Sequence, residues 1–178
     1  MKLETETDVL RENKAKLLLS ELSGLQFKKI KKPYSKIDWV FTRSIFDRPS
    51  GNWDTVPIAW CEFKGQNKGI FHAKKFGFRL GLEKWMHLKK VSYATDMPFW
   101  IVYGIKKDND KGTYIGMFWK ETKHDGMYFG GRVDRNLKSD LDVMVKLRFD
   151  RFAKVNTKED WELVKHKLTA PPQVSGEY

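Results

Sequence analysis

The nine residues Ile58-Ala59-Trp60-Cys61-Glu62-Phe63-Lys64-Gly65-Gln66 constrain this chain more than any other stretch, because an apolar run ends there in a carboxylate and an ammonium two positions apart. Read as a strand, period-2 alternation sets Ile58, Trp60, Glu62 and Lys64 on one face and Ala59, Cys61 and Phe63 on the other. An acid and a lysine then project side by side from the end of a buried strand. Charge is costly in such a place unless it is paired or holds a metal. For Glu-x-Lys alone the plain reading is an ion pair at a strand end, since the tripeptide is common by chance.

The neighbouring patterns say what surrounds that strand. Ala15, Leu18, Leu19 and Leu22 form one stripe of a helix over 8–23, with Thr7 or Asp8 as cap and Gly24 as stop. Glu12, three residues before Ala15 and seven before Leu19, lies at the edge of the buried face, which favours it over Glu21 as an acid presented to the sheet. Ile37-Asp38-Trp39-Val40-Phe41 reads as a strand with Asp38 on the face of Val40. Residues 47–57 are dense in turn formers and read as a loop, with Trp53 as a stacking or wedge residue.

Further on, Phe76, Leu80, Lys84, His87 and Val91 recur at helical spacing and predict one long helix over 73–93, in spite of Gly77 and Gly81. The continuous apolar run from Pro98 to Ile105 is that of a central strand buried on both faces. Strands over 113–119 and 141–149 follow, and then a helix over 158–168 with Thr157 as cap and Asp160 three residues on. The tail after Pro171-Pro172 is expected to be loose, which leaves 1–170 as one domain and 171–178 as a flexible tail.

Composition narrows the partner. Lys and Arg number 34 against 23 Asp and Glu, giving +11 and a sequence pI near 9.6. That excess calls for an anionic partner, nucleic acid ahead of a membrane surface. No apolar run reaches the roughly 18 residues that span a bilayer, and Met1-Lys2-Leu3-Glu4-Thr5-Glu6 is unlike a signal peptide, so an intracellular, cytoplasmic protein is expected. The single cysteine, Cys61, allows no internal disulfide and no cysteine-rich zinc site, so a bound metal would have oxygen ligands. His72, His87, His124 and His166 show no metal-ligand spacing.

Taken together, Glu12 on a helix, Asp38 on a strand and Glu62-Phe63-Lys64 on the next, followed by a helix, resemble the PD-(D/E)xK nuclease superfamily over roughly residues 8–105. Its core carries an Asp on one strand and (Asp/Glu)-x-Lys on the neighbour, and many members add a Glu from the first helix; Holliday junction resolvases and phage-type endonucleases are among those this chain resembles. The Pro that gives the motif its first letter is replaced by Ile37, a departure frequent in the superfamily. The resemblance implies an α/β restriction-endonuclease-like core, a mixed central β-sheet flanked by helices, here with an extra C-terminal strand and helix.

It also implies a metal-dependent endonuclease that hydrolyses DNA phosphodiester bonds. Mg²⁺ or Mn²⁺ would be held by Asp38, Glu62, the Phe63 carbonyl and Glu12, with Lys64 orienting or helping to deprotonate the attacking water. Gln66 would bond the substrate or the lysine. Lys28, Lys29, Lys31, Lys32 and Lys36, with Lys74 and Lys75 on the following helix, would line a phosphate track, unless they are simply a solvated face. The alternative function is a non-catalytic nucleic-acid-binding protein on the same fold. A paired cut would need a homodimer, and the segment beyond Trp119 is the first candidate for that contact or for substrate recognition.

Overall fold

A computed structural model describes residues 6–30, 37, 39–66, 69–105, 112–130 and 142–169. Helix α1 (Glu6–Ser23) leads into strand β1 (Gln26–Lys29), then β2 (Trp39–Asp47) and β3 (Asn52–Gln66). Helix α2 (Ile70–Phe76), strand β4 (Phe78–Gly81) and helix α3 (Leu82–Thr95) follow, then β5 (Phe99–Ile105), β6 (Gly112–Phe118), β7 (Gly126–Gly130) and β8 (Asp142–Leu147). A 3₁₀ turn at Phe149–Arg151, the two-residue β9 (Ala153–Lys154) and helix α4 (Lys158–Thr169) close the chain.

Among the described residues the main sheet has six strands in the order β1-β2-β3-β5-β6-β9, and β4, β8 and β7 form a second sheet of three. Of the strands among the described residues only β3 and β5 are paired in parallel; the other ladders are antiparallel. Parallel neighbours need a crossover, and α2, β4 and α3 supply it. β5 is buried along nearly its whole length, and its side chains alternate between two cores. Phe99, Ile101, Tyr103 and Ile105 join one core with Trp85 and Leu88 of α3 and Val145 and Leu147 of β8. Trp100 and Val102 join the other, with Ala15 and Leu19 of α1, Phe41, Ala59, Cys61 and Trp161 of α4. The mixed sheet is therefore sandwiched between α1 and α4 on one side and α3 with the small sheet on the other, as an α/β chain with a central buried strand requires.

Several local expectations change. The helix expected over 73–93 is two helices with a short strand between them. Gly77 sits at φ 73°, ends α2 and donates its N–H to the Ala73 carbonyl, and Gly81 adopts extended backbone before α3. The loop expected over 47–57 is the tip of a hairpin whose turn occupies only 48–51, with Gly51 at φ 68°. Its arms pair from Arg43↔Val56 to Asp47↔Asn52. Because Trp53 and Phe46 on these arms are exposed, no buried face marked them as strand in the sequence. A register shift between Phe41↔Ala59 and Thr42↔Pro57 leaves Ile58 unopposed, and it packs with the α1 core instead of sharing the face of Trp60. Helix α1 begins at Glu6, which puts Thr7 and Asp8 inside its first turn, and Gly24 at φ 69° ends it as expected.

At α4 the capping box forms as read. Thr157 Oγ1 accepts from the Asp160 backbone N–H, and Asp160 Oδ2 accepts from the backbone N–H groups of Thr157 and Asn156. We expect Thr157→Ala to cost about 1 kcal/mol in urea-monitored unfolding. A change below a few tenths would mean that Asp160 alone caps the helix. The loose tail expected from 171 lies outside the described residues. No helix among them is long and apolar enough to cross a membrane.

Candidate active site

Glu62 stands near the C-terminal end of β3, where β3 runs parallel to β5 and pairs Glu62↔Ile101 and Lys64↔Tyr103. Alternation turns Cys61 and Phe63 into the α1 core and leaves Glu62 and Lys64 on the α3 side, the face of Trp60. There Glu62 is completely buried, although it is a carboxylate. Two ammonium groups reach it: Lys64 Nζ lies 2.8 Å from Oε1 and Lys84 Nζ, from the first turn of α3, lies 2.9 Å from Oε2. Neither approach has the angle of a directional hydrogen bond, so both oxygens are held by charge alone. A buried carboxylate held only by ion pairs is one whose lone pairs become available once an ammonium moves away.

Tyr103 forms the floor beside this pair. Burial, followed by the Glu62 charge and then Tyr128, pushes its phenol far above the ordinary tyrosine range. Its hydroxyl stays protonated and donates to the Arg79 carbonyl at 2.7 Å, tying β5 to β4. Tyr103 is therefore a structural donor and no general base.

Glu12 approaches the sheet from the other face, where its Oε1 accepts from the Trp39 indole N–H. The Trp39 ring also carries Lys16 Nζ at 3.4 Å from its centroid and Lys29 Nζ at 5.2 Å, so two cations and one acid converge on it. Trp39 itself pairs with Cys61, the residue before Glu62. Phe63 turns its ring toward Phe27 and Trp39. Asp38, Lys31, Lys32 and Lys36 lie outside the described residues, as does the Gln66 side chain. Lys28 and Lys29 are exposed on the edge strand β1, and Lys74 and Lys75 are exposed in the last turn of α2. Trp53 is 70% exposed and meets Phe46 ring to ring at 5.4 Å.

The structure brings in one residue that the sequence reading did not place here, Lys84. Its signal was present: a lysine in the stripe Phe76, Leu80, Lys84, His87, Val91, where an apolar residue is the rule. A charge on a buried stripe implies a partner on the facing element.

The geometry can be tested against the divalent cation that such nucleases use. A buried anionic oxygen pair with no directional hydrogen bond suits a hard cation, which takes oxygen ligands. Among the described residues, no three His, Cys, Asp or Glu side chains gather into a metal-binding group. Glu62 thus supplies one fitting ligand, and further donors have to come from elsewhere in the chain.

A mixed sheet flanked by helices, with Glu-x-Lys at the end of a central strand, defines the restriction-endonuclease-like class. The protein-family model described as "Phage putative PDDEXK endonuclease" matches residues 1–155, and the chain belongs to that family. No curated protein and no solved structure matches it. The matched stretch ends just before α4, so this helix and its capping box lie beyond the family's shared part.

Proposed function

We propose that this protein is a Mg²⁺-dependent deoxyribonuclease that hydrolyses phosphodiester bonds in DNA. The observation that carries the reading is Glu62, fully buried, free of directional hydrogen bonds and beside Lys64 in the family's Glu-x-Lys spacing. Glu62 and Asp38 would hold the cation, with the Phe63 carbonyl and Glu12 as further oxygen donors. Asp38 directly precedes Trp39, whose partner across the ladder directly precedes Glu62. When bound, a cation held this way activates a water nucleophile and offsets phosphate charge.

Lys64 keeps 39% of its side chain exposed, so its ammonium can turn from Glu62 toward a phosphate at the surface. There it orients the attacking water and stabilises charge on the oxygens under attack. Tyr103, a neutral donor opposite Lys64 in the β3–β5 ladder, ties β5 to β4.

The excess of +11 favours a polyanionic substrate. Lys28, Lys29, Lys74 and Lys75 are the described candidates for backbone contacts, with Lys31, Lys32, Lys36 and Gln66 proposed alongside them. Replacing Lys74 and Lys75 by Ala is expected to lower the slope of log affinity against log salt by about 0.9 for each lysine that meets a duplex phosphate. An unchanged slope would make them a solvated face.

Cleavage of linear, nicked, branched and single-stranded DNA with and without Mg²⁺ tests the function as a whole. Cutting that requires the metal supports it. Binding without cutting on every substrate, with Mn²⁺ also tried, would leave a non-catalytic nucleic-acid-binding protein.

A further inference from the structure

Lys84 is not part of the Glu-x-Lys motif, yet it holds the second oxygen of the motif's acid. Its helix is fixed firmly: Trp85, the next residue, is 1% exposed and packs edge-on against Phe99 and Phe118 at 5.4 and 5.6 Å, and Leu88 is fully buried. The Lys84 backbone is therefore immobile relative to β5, while its side chain, 23% exposed, retains an outlet to water. Lys64, on the opposite oxygen, is tethered to β3 itself.

Each oxygen of the fully buried Glu62 thus has an ammonium within 2.9 Å. With both oxygens engaged, a dication approaching Glu62 meets an ammonium at either one. One ammonium has to give way before Glu62 can serve as a ligand. We infer that Lys84 is a positioning residue that holds Glu62 oriented while the site is empty, and that competes with the divalent cation for its second oxygen. Its four-carbon stem lets the ammonium leave toward solvent without moving α3. Lys64, on the first oxygen, is the ammonium that serves the phosphate. This inference rests on the proposed metal-dependent reading of the site.

Two measurements on the intact chain test it, neither of them activity. Mn²⁺ binding by calorimetry is expected to be about fivefold tighter in Lys84→Met than in wild type, the ratio equivalent to one partly exposed ion pair, and to stay near wild type in Lys84→Arg. On the wild-type protein, amine-acylation mapping by mass spectrometry is expected to show Lys84 protected without divalent ion and labelled severalfold faster with saturating Mn²⁺, with no such change at Lys90. This second measurement needs no variant to fold. Wild type that binds Mn²⁺ while Lys84 labelling and Lys84→Met affinity stay unchanged would overturn the competition and leave the metal-dependent reading standing. If wild type binds no Mn²⁺ and Glu62→Gln makes no difference, both fall together.

Discussion

Glu62→Ala and Glu62→Gln are expected to abolish DNA cleavage, by about 10³-fold or more, without loss of the folded state. The size of the effect follows from removing a preorganised charge at the reacting phosphate, where one such contact is worth about 10²–10³ in rate and a cation ligand affects both nucleophile and charge. The effect on stability has the opposite character. Burying a carboxylate costs on the order of several kcal/mol, and here no directional hydrogen bond helps to offset it. Among the described residues the attraction of Lys64 and Lys84 does so, and both ammoniums can turn to water once the acid is gone, at 39% and 23% side-chain exposure. The melting temperature of Glu62→Gln should therefore equal or exceed that of wild type. Lys64→Ala should also stop cleavage while leaving DNA binding largely intact. Undiminished cleavage by a folded Glu62→Ala protein would remove the catalytic assignment, and a melting temperature many degrees lower would return Glu62 and Lys64 to an ordinary structural ion pair.

How far the sequence reveals this architecture depends on whether a local pattern has one physical interpretation. The seven residues of β5 are apolar without a break, and a strand buried on both faces is the element of that length they suit. Thr157 and Asp160 stand at cap spacing ahead of a helical pattern, and the reciprocal hydrogen bonds form as expected. By contrast, Phe76, Phe78, Leu80 and Leu82 satisfy a period of 2 as well as they extend a helical stripe, so the break at β4 lay in the backbone of Gly77 and not in the apolar pattern. The arms of the β2–β3 hairpin beyond the bulge bury almost nothing, which removes the signal that marks strands elsewhere. Glu62 and Lys64 were legible because they sit on one strand. Lys84 was not placed with them because an ion pair between separate elements leaves only half of itself in any local window.

The largest expected effect on the fold itself is that of Gly77→Ala, a loss of about 3 kcal/mol or more, or ~6–12 °C in melting temperature. Gly77 combines φ 73° with ψ 179°, a region essentially reserved for glycine, so any side chain there is strained by about 1–3 kcal/mol before it touches a neighbour. A Cβ at this position would also lie 2.5 Å from the Leu147 carbonyl oxygen and 3.3 Å from its carbon. That oxygen belongs to backbone, and the adjoining Phe78↔Leu147 pair fixes it in the β4–β8 ladder, so it cannot retreat as a flexible side chain would. Gly24 isolates the first contribution: its φ is 69°, but a Cβ there would meet no heavy atom within 4 Å beyond its own chain neighbours, so Gly24→Ala should cost only about 1–2 kcal/mol. Equal losses at the two positions would mean that conformation alone sets the cost and that the close approach to Leu147 is unimportant. The clash bears on the site as well, because β4 ends at Gly81, where α3 begins, and α3 carries Lys84 in its first turn. A Gly77→Ala protein that still folds should hold Lys84 less firmly against Glu62, and the acylation mapping should show Lys84 labelled without any divalent ion. Protection of Lys84 equal to wild type in that variant would show that the small sheet and the start of α3 are mechanically independent.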